Sequence, residues 1–397
     1  MSRRRFIAAA GAVGAAVLAP GGAGATADAM LRASAQPRLP KPGRSGLDHI
    51  VVLTMENRSF DHLLGWLPGA DGRQAGLVYK DGQGVSYATY PLAPDFRGCG
   101  HPDPDHTNGG GLIEWNNGKC DGFMRGNNRF AIGYYRRADL PFLGRAAPMW
   151  TVCDRYFSAI MGPTMPNRIY LNAGTTDRLD TSTGPSSLPT IWDRLAAKNV
   201  AARYYSLKGT DSVLERWSPR NDGIVRSGDD FFADCKAGAL PAVAYFDPEP
   251  HSSAVAQDDH PFVDVRAGES MMAQVYNAIV TSPNWPRTLL VINFDEWGGF
   301  FDHVPPPRAR DVRPEYTLRG FRVPALLISP FARRRHVSHT LFDHASVLRT
   351  IEWRWSLAPL SVRDAHANNL VTALDFSRRN LRAQTIDVPT VISSRNC

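Results

Sequence analysis

Short apolar runs separated by longer polar stretches dominate the chain after residue 46. Ile50–Leu53 is uninterrupted and rich in β-branched residues, which predicts a strand buried on both faces. The other predicted strands are Ala201–Tyr205, Val243–Phe246, Thr288–Phe294 and Val323–Ser329. The predicted helices that alternate with them are Thr190–Lys198, Glu269–Thr281 and Ala345–Trp355. This alternation predicts an α/β fold in which helices flank both faces of a mainly parallel central sheet.

Two long polar segments interrupt the alternation. Residues 68–145 and 206–240 are rich in Gly, Asp, Asn and Pro, which indicates loop excursions that are able to roof a pocket. There is no internal repeat, and residues 47–397 are predicted to form a single domain. Because open α/β sheets bind ligands outside the carboxyl ends of their strands, the residues that follow each strand are the first place to look for chemistry.

Composition and charge narrow the class of partner. The 397 residues are 43% hydrophobic and 21% charged, as is usual for a globular protein with a sizeable core. The formal net charge is +7, and removal of residues 1–27 would lower it to about +4. That excess is too small to predict a nucleic-acid partner, although it is compatible with transient contact with an anionic membrane surface. Arg333, Arg334, Arg335 and His336 are the densest basic cluster, which we interpret as a solvated loop.

The N-terminus has the features of an export signal. Arg3, Arg4 and Arg5 precede a weakly apolar stretch, and Ala25-Thr26-Ala27 offers a small-residue cleavage site. Ser2–Ile7 resembles the twin-arginine signal, and an ordinary secretory leader is the alternative. We therefore predict a signal peptide over residues 1–27, a flexible lead-in over 28–46, and a periplasmic or extracellular location.

The five cysteines do not predict a thiolate metal site, because no two of them have the CxxC spacing. Cys99 and Cys120 flank a Gly-rich segment, and a disulfide between them is one expectation. Cys153 lies in an apolar run and is expected to be a buried free thiol.

Oxygen-donating side chains follow two of the predicted strands. Glu56 and Asn57 come after the first strand, and Asp295 and Glu296 come directly after Thr288–Phe294. A carboxylate buried at a sheet end requires a compensating cation. Convergent oxygen ligands suit Mg²⁺, Ca²⁺ or Mn²⁺, and Zn²⁺ also accepts carboxylates. The alternative is separate salt bridges from these acids to nearby arginines.

The candidate hydroxyl for activation by such a cation is in the segment Gly162-Pro163-Thr164-Met165-Pro166-Asn167-Arg168. The turn-forming Gly-Pro pair and Pro166 predict that Thr164 is the N-cap of a helix. The positive end of the helix would favour an alkoxide or a phosphoryl group there, unless Thr164 is only a cap. Arg168 is expected to pair with phosphate oxygens or with a structural acid.

Several histidines lie beside aspartates in polar loops, where cationic or donor roles are plausible. His106 occurs in HPDPDHT, His260 in QDDHPF and His303 in GGFFDHVPPP. They are candidates to bind phosphate oxygens or to protonate a leaving alkoxide. His303 is expected near the site because it follows the acid pair closely, whereas His62 is expected to be structural.

Four motifs in this order, ENRSFDH, GPTMPNR, DDHP and FDEWGGFFDHVPPP, resemble the bacterial phosphoesterase family of phosphatidylcholine-type phospholipases C and exported acid phosphatases. FDHASVLRTIEWRW resembles that family's closing helix, so the resemblance spans roughly residues 47–357. It implies an alkaline-phosphatase-like fold. It also implies a single metal ion held by the residues Glu56, Asn57, Asp295, Glu296 and the Thr164 oxygen.

The same resemblance implies that Thr164 is the nucleophile, and that His106 and His260 contact the phosphate or the leaving group. His251 and His303 are carried over as further candidates, His251 and Asn57 as substrate-binding residues. Some relatives carry two aspartates where this chain has Asp295-Glu296, which leaves the geometry of the second acid open.

The predicted reaction is a two-step phosphoryl transfer through a phosphothreonine, with a phospholipid or other phosphate ester as substrate. A phosphatidylcholine-type phospholipase C is the first reading, and a nonspecific acid phosphatase is the second. Four aromatic residues are candidates to face a choline cation, with ordinary loop packing as the alternative: Trp115, Phe123, Tyr134 and Tyr135. More distant alternatives are a sulfatase, whose aldehyde nucleophile threonine is unable to form, and a non-catalytic phosphate- or lipid-binding protein.

Overall fold

The computed structural model describes residues 39–207, 212–391 and 393. The predicted signal peptide and most of the predicted lead-in lie outside these residues. A short 3₁₀ turn, Pro42–Arg44, comes just before the first strand. None of the helices in the described ranges is both long and apolar enough to cross a bilayer.

An eight-stranded sheet forms the centre of the fold. Its strands are β1 (His49–Met55), β2 (Thr151–Cys153), β3 (Ala202–Ser206), β4 (Val225–Ser227), β5 (Val243–Asp247), β6 (Thr288–Phe294), β7 (Ala325–Ile328) and β8 (His336–Ser338). Their order across the sheet is β8-β2-β7-β6-β1-β5-β3-β4. Only β7 runs antiparallel to its neighbours β6 and β2, so the prediction of a mainly parallel sheet is confirmed.

The helices are α1 (Phe60–Leu64), α2 (Asn108–Trp115), α3 (Phe123–Gly126), α4 (Leu143–Ala146), α5 (Thr164–Ala173), α6 (Ile191–Ala197), α7 (Val213–Trp217), α8 (Gly228–Ala237), α9 (Val265–Thr281), α10 (His344–Trp355) and α11 (Val362–Ala365). Further 3₁₀ helices are Asn116–Gly118, Arg129–Ile132, Arg137–Asp139, Pro219–Ile224, Trp285–Arg287, Pro314–Tyr316 and Leu370–Ala373. All seven residues of β6 are buried, which shows that both faces of the sheet are covered there.

Three short two-stranded pairs lie outside the main sheet. They are Val78–Lys80 with Ser86–Ala88, Tyr90–Pro91 with Gly133–Tyr134, and Tyr156–Phe157 with Phe342–Asp343. Two of them lie within the predicted loop excursion 68–145, which therefore has more local structure than its composition suggests.

The five predicted strands and three predicted helices are all present, with ends that differ by up to four residues. The largest difference is at α9, which begins at Val265, four residues before the predicted start. Asp264 caps this helix by accepting a hydrogen bond from the Arg266 N–H, a signal that the apolar pattern alone does not carry.

The cysteines differ from one expectation. Cys120 is a buried free thiol, so the predicted Cys99–Cys120 disulfide is wrong, and Cys99 takes part in another disulfide. Cys120 packs in a small apolar cluster with Phe123 and Tyr79, where a thiol behaves as an ordinary apolar side chain. Cys153 is a buried free thiol in β2, as predicted.

Candidate functional site

The two acidic pairs meet at the carboxyl edge of the sheet. Met55 and Phe294 are aligned at the ends of the parallel strands β1 and β6, so Glu56 and Asp295 leave the sheet side by side. The Asp295 N–H donates to the Met55 carbonyl at 3.1 Å, which extends the pairing by one residue. Sequence position thus places Glu56, Asn57, Asp295 and Glu296 in one small region.

Backbone geometry holds Asn57 and Glu296 in place. Asn57 has φ 56°, in the left-handed region that asparagine tolerates better than most residues. Gly298 also has a positive φ of 65°, and a Cβ there would lie 2.1 Å from the Asn57 carbonyl oxygen. The Gly298 N–H donates to Glu296 Oε2 at 2.6 Å. Glycine is therefore required for the turn that fixes the second acid.

Asp295 is the most fully hydrogen-bonded acid of the set. Its Oδ1 accepts from the backbone N–H groups of Asn57 at 3.3 Å and Glu296 at 2.8 Å. Its Oδ2 accepts from Arg168 Nε at 3.0 Å. By contrast, three buried oxygens accept no hydrogen bond from any described residue: Glu56 Oε2, Asn57 Oδ1 and Glu296 Oε1.

Burial and mutual repulsion make two of these acids difficult to ionise. Burial raises the pKa of Glu56 to about 8, and the nearby Asp295 and Asp258 raise it too. Burial, followed by the charge of Asp295, raises the pKa of Glu296 well above its usual range. A divalent cation beside three unpartnered oxygens would offset both effects, so the residues present fit a metal ion.

Arg168 occupies a structural position. It is 2% exposed, and its guanidinium donates to Asp295, to Asp247 Oδ1 at 2.7 Å and to the Thr54 carbonyl at 3.3 Å, with Glu56 Oε1 at 3.5 Å. Burial alone would lower the pKa of Arg168, but these carboxylates outweigh it and raise the pKa. Arg168 was expected to pair either with phosphate oxygens or with a structural acid, and it contacts structural acids. It does not line the cavity described below, so its predicted role in substrate binding has no geometric support.

A cavity of about 330 Å³ reaches the two acidic pairs through Glu56, the one residue of those pairs that lines it. Among the residues that line it, those with candidate chemical roles are Glu56, His106, Thr164, Asp247, His251 and His260. Thr164 is the first residue of α5, and Pro163 is the N-cap, so the predicted N-cap position of Thr164 is wrong. The reason is that Pro163 already has the extended backbone of a cap, with ψ −171°. The Thr164 hydroxyl still lies at the amino end of a ten-residue helix.

Hydrogen bonds define how His106 presents its ring. Its Nδ1 donates to the Pro104 carbonyl at 2.7 Å, which leaves Nε2 to accept from Asn57 Nδ2 at 3.4 Å. Nε2 also lies 3.8 Å from Glu296 Oε1. His106 therefore connects the cavity to two of the predicted metal ligands.

His251 and His260 form a stacked pair, with ring centroids 3.9 Å apart. Asp258, which is 2% exposed, accepts the backbone N–H groups of both residues and lies 3.2 Å from His251 Nδ1. The Asp258 carbonyl also accepts the Glu56 N–H at 2.7 Å. One buried aspartate thus ties both histidines to the end of β1.

Two groups of acidic and histidine side chains in the described ranges bring their ligand atoms within 4.8 Å of one another. The first is Glu56, His251 and His260. The second is Asp61, Asp302 and His303, in which Arg322 already contacts Asp61 at 3.1 Å and Asp302 at 2.9 Å. The second group is therefore a buried ion-pair network with its own cation.

His303 is not brought to the cavity. Its backbone N–H and its Nδ1 both contact Asp61 Oδ2, and its Nε2 lies 3.1 Å from Asp71. The left-handed turn at the paired glycines Gly298 and Gly299 redirects the chain before His303, so proximity in sequence did not become proximity in space. His62 is buried and contacts Arg58 and the Gly133 carbonyl, which agrees with the structural role expected for it.

Three residues of the site were missed by sequence reasoning: Asp103, Asp247 and Asp258. Asp247 ends β5, so the rule that found Glu56 and Asp295 would also have found it. Asp258 stands beside His260 in the DDHP motif, but its contact with His251 depends on the loop that folds between them. Asp103 lies 3.8 Å from His260 Nε2.

The model of the Phosphoesterase family matches residues 47–358 of this chain. Phospholipase C A of Mycobacterium tuberculosis is 28% identical, over 85% of this chain and 79% of that protein. A non-hemolytic phospholipase C of Pseudomonas aeruginosa is 29% identical over 96% and 64%, and a non-specific phospholipase C6 of Arabidopsis thaliana is 29% identical over 82% and 71%.

Similarity to solved structures is weak. A phosphonate monoester hydrolase of Agrobacterium radiobacter aligns with a TM-score of 0.40 and 11% identity, over 83% of this chain and 77% of that chain. The assignment of the chain to a family therefore depends on the family model, which covers most of the chain. The matched range includes the cavity residues Glu56, Thr164, His106, His251 and His260. This chain belongs to the Phosphoesterase family and is a hydrolase that acts on phosphoric ester bonds.

Proposed function

We propose that the protein hydrolyses phosphate esters by a two-step phosphoryl transfer in which Thr164 is the nucleophile. The observation that carries the proposal is that Thr164, at the amino end of α5, lines the same cavity as Glu56, His106, His251 and His260. In the first step the Thr164 oxygen bonds to phosphorus while the bond from phosphorus to the leaving oxygen breaks. In the second step water displaces Thr164 and releases phosphate or a phosphomonoester.

In this proposal the histidines donate a proton to the leaving group and stabilise negative charge on the phosphoryl group. His251 and His260 line the cavity within reach of Glu56, and one of them donates a proton to the leaving oxygen in the first step. His106, which lines the cavity and is held through Pro104 and Asn57, is the residue we propose to contact the phosphoryl oxygens. Free N–H groups at the amino end of α5 favour the negative charge that develops there.

We propose that a single divalent ion is held by Glu56, Asn57, Asp295, Glu296 and the Thr164 oxygen. The three buried oxygens that accept no hydrogen bond support this set. When bound, such an ion acts as a Lewis acid and lowers the pKa of the attacking hydroxyl. Its identity among Ca²⁺, Mg²⁺, Mn²⁺ and Zn²⁺ is left to metal analysis of the purified protein.

For the substrate, we propose phosphodiesters of the phospholipase C type, with head groups like that of phosphatidylcholine. The names of the relatives from Mycobacterium, Pseudomonas and Arabidopsis support this choice. One observation favours phosphomonoesters as a second candidate. Phe123, Tyr134 and Tyr135 are buried in apolar clusters, and Trp115 packs against the cluster that contains the first two. Among the described residues, no aromatic side chain other than histidine lines the cavity.

One set of assays tests these proposals. We expect release of p-nitrophenol from its phosphate monoester or its phosphorylcholine ester, with loss of activity in a chelator and recovery on addition of one divalent ion. The substrate that is turned over faster decides between the two candidates. Export is tested separately, by following the full chain in a host with and without a working twin-arginine route.

The matched pair Thr164→Val and Thr164→Ser tests the nucleophile. Valine keeps the shape of threonine but removes the hydroxyl, so turnover should fall at least about 10³-fold while the fold is kept. Serine keeps the hydroxyl and should retain measurable activity. A valine variant within about tenfold of the parent protein would exclude Thr164 as the nucleophile.

A further inference from the structure

A second depression, of about 570 Å³, lies away from the candidate site and is lined by basic side chains. Arg137, Arg145, Arg335 and His336 are its basic lining residues, and we call it the arginine pocket. The rest of its lining is apolar and includes Leu67, Met149 and Val337, and no acidic residue lines it within the ranges that the structure describes.

The positive charge of the arginine pocket is not neutralised by neighbours. In the part of the chain that the structure describes, none of its three arginines forms an ion pair with a carboxylate. Arg137 Nε donates to the Gly144 carbonyl at 2.9 Å, and Arg145 Nη1 donates to the Asp387 carbonyl at 3.1 Å. These bonds orient the guanidinium groups of Arg137 and Arg145 but do not neutralise their charge, and all three arginines are exposed.

The basic region extends beyond the arginine pocket. A neighbouring depression shares Met149 and Arg335 with it and adds Arg334 and Arg382. Arg334 is packed over the Trp150 ring at 3.4 Å and donates to the Arg382 carbonyl, which fixes its position. The cluster interpreted from sequence as a solvated loop is therefore one part of a basic surface built from several segments of the chain.

Sheet topology places the arginine pocket at the edge of the sheet opposite the cavity. His336 is aligned with Thr151 at the amino ends of β8 and β2. The end of the antiparallel strand β7 lies beside these amino ends, since Leu327 is aligned with Thr151. It also lies near the amino end of β6, since Ile328 is aligned with Leu290. The cavity lies where β1, β5 and β6 end. The arginines are thus remote from the hydrolytic residues.

We propose that the arginine pocket binds phosphate-bearing anions, free or in a lipid head group, at a site separate from the hydrolytic cavity. The planar guanidinium group matches phosphate oxygens in pairs of hydrogen bonds. Three uncompensated guanidinium groups around one depression suit a multiply charged oxyanion better than a single carboxylate. The proposal does not depend on the proposed function, because it uses none of the residues of the candidate site.

Binding measurements on full-length variants that also carry Thr164→Val test the proposal without turnover. The probes are tripolyphosphate, followed by calorimetry, and vesicles of phosphatidylglycerol in phosphatidylcholine, followed by co-sedimentation. The test variant is R137Q/R145Q/R335Q. The matched control is R308Q/R310Q/R313Q, which removes the same charge from three exposed arginines elsewhere.

We expect the test variant to bind at least one probe about tenfold or more weakly than its parent, and the control to stay within about threefold. A loss confined to tripolyphosphate identifies free phosphate compounds as the ligand, and a loss confined to vesicles identifies lipid head groups. The proposal is overturned if the parent binds neither probe, if the test variant binds like the parent, or if both triple variants lose affinity equally. With Thr164 restored, hydrolysis of p-nitrophenyl phosphate should be the same in the test variant as in the parent, which separates this result from the proposed function.

Discussion

At the scale of single residues, the site combines a fully hydrogen-bonded acid with two acids that are hydrogen-bonded through only one oxygen. Asp295 accepts three hydrogen bonds, whereas one oxygen each of Glu56 and Glu296 accepts none. Burying a carboxylate oxygen that accepts no hydrogen bond costs free energy. Such oxygens therefore indicate that a cation binds beside them. Asp258 differs from these acids, because both of its carboxylate oxygens accept hydrogen bonds that orient His251 and His260.

Asp258 is expected to act as a positioning residue for His251, whose Nδ1 lies 3.2 Å from its carboxylate. Asp258→Asn keeps one acceptor oxygen in place of two, so one of the two backbone N–H groups loses its partner and the hold on the His251 ring weakens. If His251 protonates the leaving group, turnover of phenyl phosphate should fall about tenfold or more. Turnover of p-nitrophenyl phosphate, whose leaving group needs no proton, should fall much less. Equal losses on both substrates would show that Asp258 has only a structural role.

Glu269 should make stability depend on pH. Burial raises its pKa to about 8, and the N–H groups of Leu143 and Phe142 offset only part of that effect. Because the folded protein holds this proton more tightly than the unfolded chain does, the contribution is largest below pH 4.5 and is lost as pH rises towards 8.

The variant Glu269→Gln keeps an acceptor for both N–H groups but does not ionise. Urea unfolding should show that it is more stable than the parent at pH 8, by on the order of 1–3 kcal/mol, and nearly equal to it at pH 5. Glu269→Ala, which removes the acceptor, should be less stable at both values. An unchanged pH slope in the glutamine variant would contradict the assignment.

At the scale of elements, the ends of parallel strands bring the acids together, and tight turns decide which later residues join them. Residues on the strands were predictable because an apolar run fixes where a strand ends and the parallel register fixes what lies beside it. Asp247 obeys the same rule and was overlooked. His303 was not predictable in this way, since the left-handed backbone at Gly298 and Gly299 turns the chain towards Asp61.

Other misses at this scale have local causes. The short strands β2 and β8 and the reversed direction of β7 depend on contacts between distant segments, which periodicity does not encode. The cap of α5 was misplaced by one residue because Pro163 and Thr164 both suit a helix start. Of the two alternatives for Tyr134 and Tyr135, ordinary packing agrees with the structure, because both rings are buried in apolar clusters.

The turn at Gly298 gives a prediction at this scale. Gly298→Ala would place a methyl group 2.1 Å from the Asn57 carbonyl oxygen and would strain a positive φ. We expect a loss of stability of about 1–3 kcal/mol and a loss of activity of at least about tenfold, because Asn57 and Glu296 must shift. Gly84→Ala is the matched control: its φ is 84°, but nothing lies within 4 Å of the added methyl group.

The control variant should lose a similar increment of stability to backbone strain alone and should keep its full turnover. Thermal unfolding and hydrolysis of p-nitrophenyl phosphate measure the two effects. Equal activity in the two alanine variants would mean that the contact between Gly298 and Asn57 does not support the site.

At the scale of the whole molecule, metal binding should be visible in stability as well as in rate. An ion that binds only the folded protein at about 100 times its Kd adds about 2.7 kcal/mol. We expect the melting temperature of the chelator-treated protein to rise by about 2–6 °C on addition of the correct ion. The double variant E56Q/E296Q should lose this rise, and a rise of the same size would exclude these two carboxylates as ligands.

The opposite placement of the cavity and the arginine pocket has a practical consequence. Molecules that adsorb through the arginine pocket to a negatively charged solid support would share one orientation, in which the catalytic cavity faces the solution. Such an immobilised preparation should process small dissolved esters at nearly the rate of the free protein.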